Sequence, residues 1–187
     1  MSHEIRTPMN GVIGMIQALK GTELNDVQLH YVEVLNSSGK SLLLLIDDLL
    51  DISKIESSTL VLDKKPFETF SWITDVQNII DPLFEDSDVA FVTELDDSLP
   101  KVLVGDETRL LQIVLNLLSN AAKFTAQGEV KLTISGSELA DNTCTGTICV
   151  QDSGIGISNE SQDAIFEAFH QLSVNRILNK GVGLGLA

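Results

Sequence analysis

The 187-residue sequence has few cysteines, few basic residues and only short apolar runs, and each shortage excludes a class of protein. Cys144 and Cys149 lie in one strand-like stretch without neighbouring histidines, which argues against a disulfide and against a zinc site. We therefore expect two core thiols and a reducing compartment. The apolar run LLLLI at 42–46 is far shorter than the roughly 18 residues of a membrane-spanning helix, and no signal-peptide pattern is present. We expect this segment to act in the cytoplasm without membrane contact, with any inner-membrane anchor of a longer protein outside it.

Basic residues number 12 against 27 acidic ones, which gives a formal net charge of −15. Nucleic acid and anionic membrane surfaces are therefore unfavourable partners, because both would repel a negative protein surface. Residues 66–187 contain 6 of the basic residues and 18 of the acidic ones. A basic residue inside a motif of that part is for this reason more informative than usual.

The first part of the chain has the apolar spacing of two packed helices. Apolar residues of the first helix alternate four and three apart, as in a helix bundle; they are Ile5, Met9, Val12, Ile16 and Leu19. GTELND at 21–26 interrupts the pattern, and Asn25 or Asp26 is a suitable N-cap for a second helix. The first row of that helix repeats the spacing and consists of Leu35, Ser38, Leu42, Leu45, Leu49 and Ile52. A second apolar row consists of Leu43, Ile46 and Leu50. Two rows are more than one hairpin can bury, which predicts self-association into a four-helix bundle.

Beyond about residue 58, short strand patterns alternate with helical ones. We predict strands at 59–67, 89–95, 129–135 and 145–152, the last two separated by a turn around Asp141–Asn142. We predict helices at 68–85, interrupted near Pro82, at 106–124 and at 158–169, followed by a loop over 170–187. This mixture indicates an α/β sandwich, so the chain as a whole is of the α+β class.

The string SHEIRTPMNGVIG at 2–14 holds the first candidate site. At 100° per residue, His3 and Thr7 share a face that lies roughly opposite the apolar seam of the helix, together with Asn10 and Gly14. Glu4 can hold one ring nitrogen of His3 and leave the other as a neutral nucleophile. Pro8 cannot donate to the Glu4 carbonyl and should bend the helix there. Considered alone, an exposed His-Glu pair is usually ordinary surface.

The string LQIVLNLLSNAAKFT at 111–125 holds the second candidate site. The predicted core stripe of this helix consists of Leu110, Ile113, Val114, Leu117 and Ala121. Asn116, Asn120 and Lys123 follow one another at i, i+4 and i+7 on another face. Amide oxygens suit Mg²⁺, which keeps its waters and phosphate oxygens as further ligands, and a lysine one turn on neutralises phosphate charge. Considered alone, this row is most simply a solvated helix face.

Two glycine-rich strings follow. In DSGIGI at 152–157, Asp152 ends a predicted strand, and Gly154 and Gly156 allow a ligand to approach the backbone closely. A carboxylate can accept a hydrogen bond from an exocyclic amine such as that of adenine. In GVGLGLA at 181–187 three glycines leave backbone N–H groups available for phosphate oxygens; they are Gly181, Gly183 and Gly185. Each string is a weak indication by itself.

In this order along the chain, these strings resemble the H-box, the N-box and the glycine boxes of the sensor histidine kinase family, and IFEAF at 165–169 resembles its F-box. The resemblance implies that His3 is the phosphoacceptor and Glu4 its acid–base partner. It also implies that Thr7 helps to position water when bifunctional members dephosphorylate a response regulator.

For the second part of the chain, the resemblance implies a site for ATP and Mg²⁺. Asn120 is then the magnesium ligand, Asn116 and Lys123 lie near the phosphates, and Asp152 reads adenine. The glycines line the nucleotide pocket; they are Gly154, Gly156, Gly181, Gly183 and Gly185.

The resemblance also implies a domain organisation and partners. Residues 1–58 would form the dimerising, phosphoaccepting hairpin, and residues 59–187 an ATP-binding sandwich of the histidine kinase, gyrase and heat-shock chaperone type. The partners would be a second copy and a response-regulator receiver domain, which hybrid kinases with a similar H-box carry in the same chain. We expect the segment to be a fragment, with its sheet incomplete at the C-terminal end.

Two alternatives remain open from the sequence. An ATPase of the same superfamily would place a glutamate one turn before the magnesium ligand, where this chain has Asn116, which cannot accept a proton. The second alternative is a degenerate kinase that only dimerises or binds regulators. It is suggested by KGVGLGLA, which departs from the family's GGTGLGLA at Lys180 and Val182. The preceding stretch LSVNRILNK is also shorter than the family's lid, and whether Arg176 and Lys180 reach phosphate or are merely solvated is left open.

Overall fold

The structure, a computed structural model, describes residues 2–138 and 144–167. Two compact units make up this part of the chain; one extends to Leu60, and the other covers Val61–Ala164. The first unit is a helical hairpin of α1 (Ser2–Lys20) and α2 (Asp26–Glu56). No helix among the described residues is long and apolar enough to cross a membrane.

Local sequence sets both ends of the hairpin turn. Of the two predicted candidates, Asn25 is the N-cap of α2: its side chain accepts a hydrogen bond from the Gln28 backbone N–H at 2.9 Å, and the Gln28 side chain accepts the Asn25 N–H at 3.0 Å. This capping box satisfies two backbone donors that the first helical turn would otherwise leave unpaired. The Lys20 ammonium lies 3.5 Å from Glu33, close to the turn.

The hairpin buries a single narrow row of side chains between its two helices. Ile16 and Val32 are each 6% exposed. Gly39 is also buried, and a Cβ there would lie 3.3 Å from Ile13, so the glycine allows the helices to approach closely. Further half-buried side chains line this inner row, namely Met9, Ile13, Leu43, Ile46 and Leu50.

The other apolar row of the hairpin faces outward. We name as the outer row Ile5, Val12, Leu19, Leu35, Leu42 and Leu49, which are 42–54% exposed. The sequence predicted one bundle seam through Met9 and Ile16 together with Ile5 and Val12; the structure divides this seam between the inner and the outer row. The second predicted row of α2, Leu43, Ile46 and Leu50, lies in the inner row. The first predicted row is divided, because Leu35, Leu42 and Leu49 are exposed, whereas Leu45 and Ile52 are half-buried.

The second unit is a two-layer arrangement of helices on strands. Its elements are β1 (Lys65–Glu68), α3 (Thr69–Ile80), β2 (Val89–Leu95), β3 (Val102–Gly105), α4 (Glu107–Phe124), β4 (Gly128–Glu138) and β5 (Cys144–Asp152). β1 pairs with β3 in an antiparallel ribbon. β4 is the central strand of a second sheet, parallel to β2 and antiparallel to β5. Because α4 lies between the parallel strands β2 and β4 in sequence, it forms part of the crossover between them.

One hydrophobic core holds this second unit together. α3 contributes Trp72 at 2% exposure, α4 contributes Leu118 at 0%, and β4 contributes Leu132 at 0%. The predicted core stripe of α4 is right for Val114 and Ala121, which are buried, and Leu110 and Leu117 are half-buried. It is wrong for Ile113, which is 57% exposed. The stripe that faces the core passes through Leu118 because α3 and the sheet both lie on that side.

Three predictions of local structure need correction. The strand β3 was not predicted, although VLV at 102–104 is a β-branched run that ends at a glycine. The strand predicted at 59–67 begins only at Lys65. The helix predicted at 158–169 is wrong over its described part, which contains the 3₁₀ turns Asn159–Ser161 and Ala164–Phe166.

Side-chain bonds explain why the described residues 158–167 form 3₁₀ turns and not the predicted α-helix. The Ser158 and Ser161 hydroxyls are 2.9 Å apart, and Gln162 Nε2 donates to Asn159 Oδ1 at 3.4 Å. Such short-range polar contacts compete with helical backbone bonds and favour tight turns. The predicted interruption near Pro82 is confirmed, because α3 gives way there to a 3₁₀ turn, Asp81–Leu83. The predicted turn at Asp141–Asn142 and the loop at 170–187 lie outside the described residues.

Candidate functional site

The first candidate site lies in the first two turns of α1. His3 is helical, although its side chain lies outside what the structure describes. Glu4 and Thr7 are exposed, and so are Asn10 and Gly14, in agreement with the predicted polar face. Helix α1 continues through Pro8.

An ion pair fixes this end of α1 to α2. Arg6, one turn after His3, donates from its guanidinium to Asp47 Oδ1 at 2.6 Å. The same stretch of α2 carries Asp48 and Asp51. Burial raises the pKa of Asp48, with a smaller contribution from the negative charges of Asp51 and Asp47. The candidate phosphoacceptor end of α1 therefore lies beside an acidic stretch of its partner helix.

The second candidate site lies on one face of α4. Asn116 and Asn120 are half-buried and Lys123 is exposed, so the predicted row of amides and lysine lies along one helix face that solvent reaches. The Lys123 ammonium lies 4.9 Å from the centre of the Phe124 ring. α4 is strongly amphipathic, and packing of Val114 and Leu118 on the opposite side determines which face remains open.

Asp106 holds the start of this helix. Its two carboxylate oxygens accept the backbone N–H of Arg109 at 3.1 Å and of Asp63 at 3.0 Å. The bond from Asp63 and then the one from Arg109 lower the pKa of Asp106. The carboxylate thus caps α4 and ties the segment before β1 to it.

The third candidate element is the loop after β5. Asp152 ends that strand, as predicted, and its Oδ1 accepts the Gly154 N–H at 2.9 Å. Gly156 has φ +68°, which favours glycine, and a Cβ there would meet nothing within 4 Å. The backbone of this loop is therefore open to a ligand.

Gly154 brings the loop against the end of α4. A Cβ on Gly154 would lie 2.5 Å from the Phe124 carbonyl oxygen, a distance that no side chain tolerates. The same carbonyl accepts the Ile155 N–H at 3.4 Å. The structure thus joins two of the sequence-predicted strings, LQIVLNLLSNAAKFT and DSGIGI. We name the place where they meet, Phe124 with Gly154 and Ile155, the α4 corner.

Two residues of this corner were not among the candidates from the sequence. The Ser153 hydroxyl accepts the Glu129 N–H at 2.9 Å, and the Ser153 N–H donates to the Glu129 carbonyl at 3.1 Å. Gly128 has φ +113° and lies directly beneath that hydroxyl. Ser153 lies inside a string that the sequence does single out, whereas the role of Gly128 depends on strand pairing and has no local pattern.

Two family models match the chain. The His Kinase A (phospho-acceptor) domain matches residues 1–58, and the histidine kinase-, DNA gyrase B- and HSP90-like ATPase matches residues 105–187. These matches coincide with the hairpin and with the α4 corner. The chain therefore carries the two domains of a sensor histidine kinase catalytic core.

Curated relatives of this kinase segment include hybrid and sensor kinases. It is 39% identical over its whole length to an aerobic respiration control sensor protein ArcB homolog from Haemophilus influenzae, of which it covers 56%. It is 40% identical to the sensor histidine kinase GacS from Pseudomonas protegens and 35% identical to the signal transduction histidine-protein kinase BarA from Escherichia coli, covering 20% of each. The segment therefore spans about half, or much less, of the length of these relatives.

Solved structures give the same result. Full-length ShkA, determined in complex with AMPPNP, matches 99% of the segment with a TM-score of 0.76 and 34% identity, and the segment covers 37% of that chain. The histidine kinase AdeS from Acinetobacter baumannii matches with a TM-score of 0.61 and 20% identity, which supports the fold alone. The predicted fold, a helical hairpin followed by an α/β ATPase sandwich, is confirmed.

The residues of the α4 corner fit a nucleotide with its metal ion. Two neutral amides and a lysine on one helix face match the donors that magnesium and phosphate require. Asp152 and the open backbone at Gly156 supply an acceptor and a surface without side chains for a base. Among the described residues no group of three or more histidine, cysteine, aspartate and glutamate side chains is arranged to hold a metal ion. Gly181, Gly183 and Gly185 lie outside the described residues, so their assignment stays a prediction.

Proposed function

We propose that this segment catalyses ATP-dependent phosphorylation of its own His3 and then transfers the phosphoryl group to an aspartate of a response-regulator receiver domain. The observation that carries the proposal is the corner at which the Asn116–Lys123 face of α4 ends against the Asp152–Gly156 loop. A polar helix face suits the phosphates of a nucleotide, and the acceptor loop beside it suits a base.

Each residue of the corner has one task in this proposal. Asn120 binds Mg²⁺ through its amide oxygen, and Asn116 and Lys123 contact the phosphates. Asp152 accepts a hydrogen bond from the adenine amino group, and the backbone at Gly154 and Gly156 lies along the base. ATP supplies the phosphoryl group, and the protein contributes mainly alignment and neutralisation of charge.

His3 accepts the phosphoryl group on an unprotonated ring nitrogen. The Glu4 carboxylate takes the proton of the other ring nitrogen as positive charge develops on the ring. The new N–P bond replaces the bond between the γ-phosphorus and its bridging oxygen, and ADP leaves. Thr7 lies one turn further along α1 and is assigned to the reverse task, positioning water for dephosphorylation of the regulator.

Asn116 favours transfer to His3 over hydrolysis. Hydrolysis needs a general base that takes a proton from water, and an amide has no basic pKa in the useful range. Asn116 occupies the turn of α4 before the proposed magnesium ligand, where it can hold phosphate or water without accepting a proton.

The test uses radiolabelled Mg-ATP with the purified chain and three variants. We expect acid-labile, alkali-stable label on the wild type, and on His30→Gln, which changes another histidine of the same hairpin. His3→Gln and Asp152→Asn should carry no label. Label on His3→Gln at the wild-type level would contradict the proposal, and so would an unlabelled wild type.

The active form in this proposal is a homodimer built through the outer row. Its members on α2 lie about 70° around the helix from the inner row, counting 100° per residue. Adjacent contact faces at roughly this angle are those of a helix in a four-helix bundle, where each helix has two neighbours. A second copy covers the outer row and leaves the His3 face accessible. We also propose residues 1–58 and 59–187 as the two domains, with both reactions in the cytoplasm.

A further inference from the structure

The Ser153 hydroxyl extends the pairing of β4 with β5 past the end of their ladder. The last residue pair of that ladder is Val130 with Asp152. Beyond it, Ser153 Oγ accepts the Glu129 N–H at 2.9 Å, while its own N–H donates to the Glu129 carbonyl at 3.1 Å. The hydroxyl proton has two acceptors within reach, the carbonyls of Glu129 at 3.2 Å and of Gln127 at 3.4 Å. One side chain therefore anchors the peptide that follows Asp152.

The shape of the backbone beneath Ser153 matches this anchor. Gly128 adopts φ +113°, and a Cβ there would lie 2.3 Å from the Ser153 oxygen. Any other residue would occupy the space that the hydroxyl fills. Gly128 and Ser153 thus form a matched pair.

The anchor lies between the two ends of the proposed nucleotide site. Lys123 and Asn120 lie on the last turns of α4, and residues 125–127 connect that helix to β4. Ser153 binds the end of this connection at Gln127 and the start of β4 at Glu129, while Gly154 rests against the Phe124 carbonyl. The spacing between the phosphate-binding end and Asp152 therefore depends on these contacts.

The hydroxyl adds little to the fold itself. Ser153 is exposed, whereas the core beneath it consists of apolar side chains such as Val130 at 0% exposure. The β4–β5 ladder forms through backbone groups from Val130–Asp152 to Glu138–Cys144 and does not use the Ser153 side chain. Removal of the hydroxyl should therefore change local geometry more than global stability.

From these contacts we propose that Ser153 is a positioning residue that holds the Asp152 carboxylate at the adenine amino group. It acts through Asp152 and does not itself touch the nucleotide. This inference rests on the proposed nucleotide site. It gives a reason for the hydrogen bonds that the exposed Ser153 makes to the backbone of Gln127 and Glu129. It also assigns part of the selectivity for adenine to the end of the β4–β5 pairing.

The experiment measures the affinities of the purified chain for ATP and for GTP. Adenine offers an amino group where guanine offers a carbonyl oxygen, so a well-placed carboxylate favours ATP. Ser153→Ala should weaken ATP binding roughly five- to tenfold, the usual range for one hydrogen bond in a polar site. It should leave GTP binding almost unchanged, so the ATP/GTP affinity ratio falls. Ser153→Thr, which keeps the hydroxyl, should restore the ratio.

The matched control is Ser98→Ala. The Ser98 hydroxyl also donates to a β4 carbonyl, that of Gly136 at 2.7 Å, but near the opposite end of the strand. We expect Ser98→Ala to keep the wild-type ratio and the same melting temperature as Ser153→Ala.

The outcomes separate this inference from the proposed function. If Asp152→Asn keeps the wild-type ATP/GTP ratio, then the proposed adenine site itself is wrong. If Asp152→Asn lowers the ratio but Ser153→Ala does not, the positioning role is wrong and the proposed function stands. Equal loss of ATP and GTP binding in Ser153→Ala, or a ratio that stays low in Ser153→Thr, would likewise overturn the positioning role.

Discussion

The two units of this kinase segment differ in how much of their apolar surface they bury. In the second unit fourteen apolar side chains form one buried cluster. In the described part of the hairpin, with helices of 19 and 31 residues, Ile16 and Val32 alone among apolar side chains reach that degree of burial. The outer row remains 42–54% exposed. The second unit thus carries its own core, whereas the hairpin leaves an apolar row exposed, which the proposed second copy would cover.

The two units also differ in the kind of polar contact that joins their elements. The hairpin is held at its ends by exposed ion pairs, Arg6 with Asp47 and Lys20 with Glu33, and such pairs contribute little stability. In the second unit, backbone groups are bound at the points where elements meet, as at Asp106 and Ser153. Stability of the hairpin should therefore depend on concentration, and stability of the second unit should not.

The largest effect should come from the core of the second unit. Leu118→Ala removes a fully buried side chain from α4 and should lower the free energy of unfolding by about 2–5 kcal/mol. Ile113→Ala on the same helix, 57% exposed, should cost no more than about 0.5 kcal/mol. Urea denaturation of the two variants measures the difference, and equal losses would contradict the position of the core.

The next effect should be loss of the dimer. Leu42→Asp places a charge in the outer row and should convert the protein to a monomer, because the second copy would have to bury that charge. Leu44→Asp is the control, since Leu44 is 66% exposed and lies outside both rows. Sedimentation equilibrium measures the mass. A dimer that survives Leu42→Asp, or dissociates equally in Leu44→Asp, would contradict the outer row as the interface.

A smaller, local effect should follow from Gly154→Ala. The added Cβ would lie 2.5 Å from the Phe124 carbonyl and should displace the loop from α4. We expect nucleotide affinity to fall tenfold or more, which corresponds to a loss of about 1.4 kcal/mol or more of binding free energy. Gly146→Ala, in the preceding strand β5, places a Cβ that meets nothing within 4 Å and should bind nucleotide normally. Calorimetric titration with Mg-ATP compares them. Normal binding by Gly154→Ala would show that the corner does not shape the site.

The smallest effect should appear in the pH dependence of two aspartates, one from each unit. Hydrogen bonds lower the pKa of Asp106, so its carboxylate stabilises the fold above the ordinary aspartate pKa, and this contribution is lost as pH falls through the folded-state value. Burial raises the pKa of Asp48, so its charged form disfavours the fold, and stability is lost as pH rises through the raised value.

Replacement of each aspartate by asparagine should therefore shift the melting temperature in opposite directions. At neutral pH we expect Asp106→Asn to melt below the wild type and Asp48→Asn to melt above it, and both differences should vanish in acid. Thermal melts from acid to neutral pH measure them. Differences of the same sign would contradict the assigned causes.

The sequence predicted the elements that local chemistry alone determines. Asn25 was one of the two N-cap residues predicted for α2, and β2 was predicted at its observed bounds from the string VAFVTEL. The joining of α4 to DSGIGI was implied only by the resemblance to a family. No local pattern relates Gly154 to Phe124, because their contact depends on how β4 and β5 pair.

The incorrect predictions likewise concern features that depend on how elements pack and pair. Ile113 and Leu118 are both apolar and both fit a helical stripe, and only the position of α3 and the sheet decides which is buried. β3 is four residues long and half exposed, so its identity depends on its pairing with β1. Residues 158–162 have a helical spacing, but serine and asparagine side chains there bond to their neighbours instead.

The most direct test of the account measures where the phosphate goes. The wild-type chain is incubated with Mg-ATP, and in the same sample phosphate bound to the protein is located by mass spectrometry and released inorganic phosphate is counted. The account predicts phosphate on His3 accumulating faster than free phosphate, and formation of both to stop in Asp152→Asn. Steady release of inorganic phosphate with His3 unmodified would contradict it and identify the segment as a hydrolase.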